Sequence, residues 1–159
     1  MKIDVTIGIP VYRSEQFIHR ALESVLSQSY ASIEFLIVDD GGDDSSMEIV
    51  RYFQENHLRG KAIRVIHHEE NLGVSASRND IINEARGDYL YFMDSDDVIA
   101  ENTIALLMQN IRQYDAEIAF GSYEKIEVSG VRTVYQYPDI QLMGEDQLAL
   151  FAFRSFIQL

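Results

Sequence analysis

The chain contains no cysteine, and its 13 lysines and arginines are outnumbered by 26 aspartates and glutamates, giving a formal charge of −13. Without cysteine neither a disulfide framework nor a thiolate metal site can form, and a reducing cytoplasm is the expected setting. Clustered cations that displace counterions from a nucleic-acid backbone are missing, so nucleic acid is not expected as a partner. No apolar run approaches the ~20 residues that span a bilayer. The start, Met1-Lys2-Ile3-Asp4-Val5, lacks the basic n-region and long apolar h-region of a secretory leader. What is present is 159 residues of 47% hydrophobic content, enough to bury one core, so a single domain over 1–159 is expected. An acidic chain can still hold a phosphorylated small molecule, provided a cation or helix N-termini offset the local repulsion.

Short β-branched runs alternate with segments of helical periodicity through the first half, the pattern of βαβ units around a parallel sheet. Val5 to Ile9 reads as a first strand stopped by Pro10. The helix after it carries Phe17, Ile18, Leu22, Val25 and Leu26 on one face, with Ser14 as its expected cap. Ile33 to Val38 is the second strand and runs into Asp39-Asp40-Gly41-Gly42-Asp43-Asp44, where a turn must follow. Ser45 or Ser46 then caps a helix bearing Ile49, Val50 and Phe53. Ile63 to Ile66 is a short third strand, and a polar loop leads to a helix from about Val74 to Ala85 closed by Gly87. Tyr89 to Met93 has the near-continuous apolarity of a strand buried on both faces. It ends at Asp94-Ser95-Asp96-Asp97. A helix from about Glu101 to Tyr114 follows, and Glu117 to Phe120 is expected to return to the sheet. Tyr123 to Val128 and Val131 to Tyr137 then suggest a hairpin that makes the sheet mixed. A last helix from Gly144 stops on apolar residues without a cap, as expected of a chain cut short.

In an open parallel sheet ligands bind beyond the carboxyl ends of the strands, so acidic clusters placed there by two strands can share one crevice. Asp39-Asp40 and Asp94 to Asp97 meet that condition. Asp43 and Asp44 are read as turn and cap residues. Three carboxylates within four residues repel one another, each close pair by ~4 kcal/mol at an effective dielectric near 20. A hard divalent cation relieves this, and oxygen-only ligands point to Mg²⁺ or Mn²⁺ with positions left open for phosphate oxygens. Structural calcium is the alternative for this cluster.

Ile9-Pro10-Val11-Tyr12, Val38-Asp39-Asp40-Gly41-Gly42, Glu70-Asn71-Leu72-Gly73 through Arg78-Asn79, and Phe92-Met93-Asp94-Ser95-Asp96-Asp97 occur in that order at strand ends and helix starts. In this the sequence resembles the GT-A fold glycosyltransferases of family 2, which build surface polysaccharides. The resemblance implies a Rossmann-like α/β fold with a mixed, mostly parallel sheet. It also implies metal-assisted, inverting transfer of a sugar from a nucleoside-diphosphate sugar, a UDP-sugar above all, to a glycan or lipid-linked acceptor. Pro10 and Tyr12 match residues lining the base pocket. Asp40 matches the carboxylate that accepts a hydrogen bond from the uracil imide, with Asp39 shaping the pocket beside it. Arg78 matches a basic residue near the nucleotide. Asp94 and Asp96 match the Asp-X-Asp motif, Asp94 toward ribose and metal and Asp96 toward the metal, with Asp97 an added ligand through water or an orienting residue. Arg13, Gly42 and Ile81 stand where the family often has Asn, Ser and a small residue.

An inverting transferase also needs a base to deprotonate the acceptor hydroxyl. Glu145-Asp146 comes too soon after Asp96 for the family interval and reads better as the acidic start of a helix, which leaves Asp146 a weak candidate. The base, the acceptor-binding elements and any peripheral attachment to a membrane are expected in segments beyond Leu159. His67 and His68 are read as exposed loop residues without a specific role. The competing readings are a phosphorelay receiver, in which the aspartate pair would follow the first strand, and a nucleotide-binding domain without catalysis.

Overall fold

The computed structural model describes residues 2–127 and 129–136. The chain divides into two compact units, 1–106 and 107–159. The first is a three-layer α/β arrangement around four parallel strands: β1 (Val5–Val11), β2 (Ile33–Asp39), β3 (Ile63–His67) and β4 (Tyr89–Phe92), in the order β3-β2-β1-β4. Helices α1 (Ile18–Leu26), α2 (Ser46–Asn56) and α3 (Val74–Glu84) form the crossovers, and α4 (Thr103–Tyr114) begins at the end of this unit. None of the helices among the described residues is long and apolar enough to cross a membrane.

The core follows from two strands that are apolar on both faces. Ile7, Ile9, Phe35, Leu36, Ile37 and Val38 are fully buried; Leu36 and Val38 pack against Ile81 of α3, and α1 buries Ile18, Ala21, Leu22, Val25 and Leu26 at helical spacing. Each of these side chains larger than alanine contributes roughly 1.5–3 kcal/mol on burial. Phe17, grouped with that stripe in the sequence, is 47% exposed, because the helix starts one residue later. Ser14 does not cap α1 through its side chain. Its hydroxyl bonds the Tyr12 carbonyl and lies 2.6 Å from Ser95 Oγ, tying the end of β1 to the acidic turn after β4.

Pro10 does not stop β1, which continues to Val11 in register with Asp39. The reason lies in the neighbours. The β1–β4 ladder ends at Gly8, whose carbonyl accepts the Met93 N–H, and Pro10 points to that same side. Its missing N–H therefore falls where no strand needs it. β4 is half-buried rather than covered on both faces, since it is the last strand of the described sheet. Residues 117–120 form no strand among the described residues, and Ile118 and Phe120, though apolar, are about half exposed. The hairpin does form, as β5 (Tyr123–Ile126) and β6 (Arg132–Tyr135), with Tyr123 and Tyr135 rings stacked at 4.7 Å. Among the described residues it makes an antiparallel pair of its own, and β1 to β4 pair in parallel. The helix expected from Gly144 lies outside the described residues.

Gly41 sets where the loop before α3 can run. It holds φ +70°, and a Cβ there would collide with the backbone of Glu70 and Asn71. Gly41→Ala should lower unfolding stability by at least about 1–2 kcal/mol, the penalty of left-handed backbone for a residue with a Cβ. Urea denaturation reads this, and an unchanged midpoint would show that the close approach carries no constraint.

Candidate functional site

The strand order places the switch point of the sheet at β1, where β2 and β3 lie to one side and β4 to the other. Ligands of open parallel sheets bind in the crevice at this point. A cleft of about 390 Å³ occupies it. Pro10, Val11 and Tyr12 line it from the end of β1, Asp40 from β2, and Asp94 and Ser95 from the turn after β4. Asn71, Gly73, Val74 and Arg78 complete the wall around the start of α3. Five residues singled out from the sequence, Pro10, Tyr12, Asp40, Arg78 and Asp94, thus face one space.

Asp40 and Asp39 diverge because successive residues of a strand project to opposite sides. Asp39 turns from the cleft and bonds His67 Nδ1 at 3.0 Å. The Asp40 side chain is 4% exposed. Its Oδ1 accepts the Leu72 N–H at 2.9 Å and lies 2.7 Å from His68 Nδ1, and its Oδ2 accepts the Gly73 N–H at 2.9 Å. Burial opposes ionisation of this carboxyl, but those donors prevail and hold it below the usual carboxylate range. His68 is not the idle loop residue its sequence context suggests. Its ring is 6% exposed and reaches Asp80 Oδ2 with Nε2 at 2.8 Å. The Asp40 hydrogen bond raises its pKa against the opposing effect of burial, and Asp80 adds to the rise.

Tyr12 is 41% exposed and lines the cleft, with the Arg13 guanidinium 5.3 Å from its ring centroid. Arg13 beside it holds φ +47°. Asn tolerates that region better than most residues. Arg13 also pairs with Asp43 at 2.9 Å, and Asp44 accepts the Glu15 and Ser46 N–H groups. Asp43 and Asp44 therefore serve the turn and the start of α2. Arg78, in the second turn of α3, reaches Asp94 Oδ1 with Nη2 at 2.8 Å. Both side chains are about half exposed. Such a pair is worth no more than about 1 kcal/mol, so a phosphate group can displace it.

Asp94, Asp96 and Asp97 project from one turn, closed by the Asp97 N–H on the Asp94 carbonyl at 3.1 Å. Asp96 and Asp97 are not in the cleft lining but stand beside it. Partial burial raises the Asp97 pKa, and the negative charges of Asp96 and Asp94 raise it further. Among the described residues no three carboxylates or imidazoles are disposed to hold a metal by themselves. The donor set still fits a hard cation: it is oxygen-only and mutually repulsive, and Asp94 at one end of it lines the cleft. Asp146 lies outside the described residues.

Residues 6–154 match the model of glycosyl transferase family 2. The chain is 39% identical over 119 residues to glycosyltransferase GlyA of Streptococcus pneumoniae, covering 75% of this chain and 16% of that protein. It is 33% identical over 125 residues to glycosyltransferase GlyG of the same organism, covering 79% of this chain and 40% of that protein. It therefore spans less than half the length of either relative. Among solved structures, S. aureus TarS 1–349 in complex with UDP superposes with a TM-score of 0.66 at 27% identity, over 71% of this chain and 33% of that one.

Asp40 and Asp44 are both held ionised below the usual range, so the stability they bring is present above the unfolded carboxyl value of about 3.9 and is lost as pH falls through their depressed folded values. Urea midpoints should drop steeply on the acid side of about pH 4. Asp40→Asn should be less stable near neutrality and show a shallower acid limb. Parallel acid limbs for the two proteins would contradict the assignment.

Proposed function

The chain belongs to glycosyl transferase family 2, and from this we propose that its cleft holds the nucleotide of a nucleoside-diphosphate sugar, UDP above all, in a metal-assisted transfer with inversion to a glycan or lipid-linked acceptor. One observation carries the reading: Pro10, Tyr12, Asp40, Arg78 and Asp94 come from four separate chain segments and line a single crevice at the switch point of the sheet. TarS, similar over most of this chain, is known in complex with UDP and with UDP-GlcNAc.

In this mechanism the base stacks on the Tyr12 ring. Asp40, an acceptor only, takes the imide N–H of uracil. Adenine and cytosine present a ring nitrogen acceptor at the corresponding edge and are rejected, because two acceptors then face each other. Arg78 exchanges Asp94 for a diphosphate oxygen, a charge-assisted bond that a guanidinium makes well. Asp96 and Asp94, with Asp97 supporting, would hold Mn²⁺ or Mg²⁺ together with the diphosphate. That cation supplies neutralisation of the charge on the departing diphosphate. The acceptor oxygen bonds the anomeric carbon from the opposite side as the bond to diphosphate breaks, and the acceptor proton passes to a base. Peripheral membrane association, a cytoplasmic setting at the inner face of the membrane and a place in polysaccharide biosynthesis belong to the same proposal.

UDP with Mn²⁺ should raise the melting temperature, by mass action worth about 2.7 kcal/mol at a hundred times Kd, whereas ADP and CDP should not. Asp96→Ala should remove the metal-dependent part of the shift. Equal stabilisation by UDP with and without Mn²⁺ would refute the cation's role, and equal stabilisation by all three nucleotides would refute the base reading.

A further inference from the structure

The reading of Asp40 as the base acceptor leaves open what aims it. An ionised carboxylate has about four acceptor positions. Three are taken from within the protein, by Leu72, Gly73 and His68. One remains for a ligand in the cleft that Asp40 lines. The two backbone donors come from one short loop. His68 differs, because its opposite ring nitrogen is held by Asp80 in α3. Both ring nitrogens lie within 2.8 Å of a carboxylate oxygen. Carboxylates only accept, so both contacts are satisfied at once only by the doubly protonated imidazolium. His68 and Asp80 are outside the cleft lining, and the charged groups facing the ring are Asp40 at the end of β2 and Asp80 on α3.

We propose that His68 is a positioning residue for donor recognition: its imidazolium, braced by Asp80, fixes the Asp40 carboxylate so that its remaining acceptor position meets the base N–H. Donor affinity is thereby governed by a surface-reaching carboxylate that touches no ligand. Loss of the second proton leaves one ring nitrogen facing a carboxylate as acceptor against acceptor. The ring then turns or withdraws, and Asp40 is released from its orientation. The bracing is complete below the ordinary histidine range and is lost as pH rises through the raised value of His68. This inference rests on Asp40 being the base acceptor, and the test separates the two.

Binding of UDP-GlcNAc is measured by calorimetry at fixed Mg²⁺ between about pH 5.5 and 8.5, the span in which histidine charge changes. The diphosphate of this ligand is a diester and has no proton to lose there. Affinity of the native chain should fall toward the alkaline end. Asp80→Asn should move that fall to lower pH. His68→Asn, which keeps one N–H toward Asp40 but cannot ionise, should flatten the profile. His68→Ala should weaken binding about 10- to 100-fold, the range for losing a hydrogen bond to a charged group. Far-ultraviolet circular dichroism and melting temperature confirm that the Asn variants are folded. Profiles of Asp80→Asn and His68→Asn that superpose on the native one would overturn the inference. If Asp40→Ala abolishes binding while those profiles superpose, only the role of His68 fails. If Asp40→Ala binds as the native chain does, the base reading fails first.

Discussion

A carboxylate withdrawn from water survives ionised only where protein donors replace its hydration. Asp40 is such a group, and the candidate site is built around the donors it requires. Taking N–H bonds from Leu72 and Gly73 draws the loop before α3 against the end of β2. That contact fixes where α3 starts and so where Arg78 stands relative to Asp94. Gly41 permits the approach, since any larger residue would meet the loop backbone. One buried charge thus aligns β2, α3 and the turn after β4 around a single crevice.

Under the proposed function, electrostatics would let so acidic a chain receive a diphosphate. The carboxylates are not spread evenly around the cleft. Asp40 is neutralised from behind by His68, Asp94 from the side by Arg78, and Asp39 is turned away toward His67. The uncompensated charge is concentrated on Asp96 and Asp97, where a divalent cation has most to gain. Arg78 and a cation held there would present positive charge to the proposed diphosphate, so the negative total of the chain need not decide what binds.

The sheet was legible because β2 and the first part of β1 are apolar on both faces, which in a chain with helical segments between them signals a parallel core. The strand-end aspartates were legible for a related reason: acidic residues after such strands have few structural uses beyond turns and ligands. Pro10 misled because its effect depends on whether β4 still runs alongside, a tertiary fact. Residues 117–120 misled because apolar alternation reports a face to bury and not a ladder partner. His68 was unreadable from its surroundings of Glu69, Glu70 and His67. Its burial is created by Asp40, 28 residues earlier, and Asp80, 12 later. The only hint was Asp80 itself, which falls on α3 between Ser77 and Ile81, the two residues that this helix buries.

Amide NMR spectra recorded while UDP-GlcNAc is added in the presence of Mg²⁺ would examine the shared crevice residue by residue. Shifts should concentrate at Val11, Tyr12, Asp40, Leu72, Gly73, Arg78 and the turn from Asp94 to Asp97, and should move together with one dissociation constant. Perturbations confined to the opposite strand ends, around Thr6, Glu34 and Arg86, or separate constants for the β2 and β4 ends, would mean that the two acidic clusters do not serve one ligand.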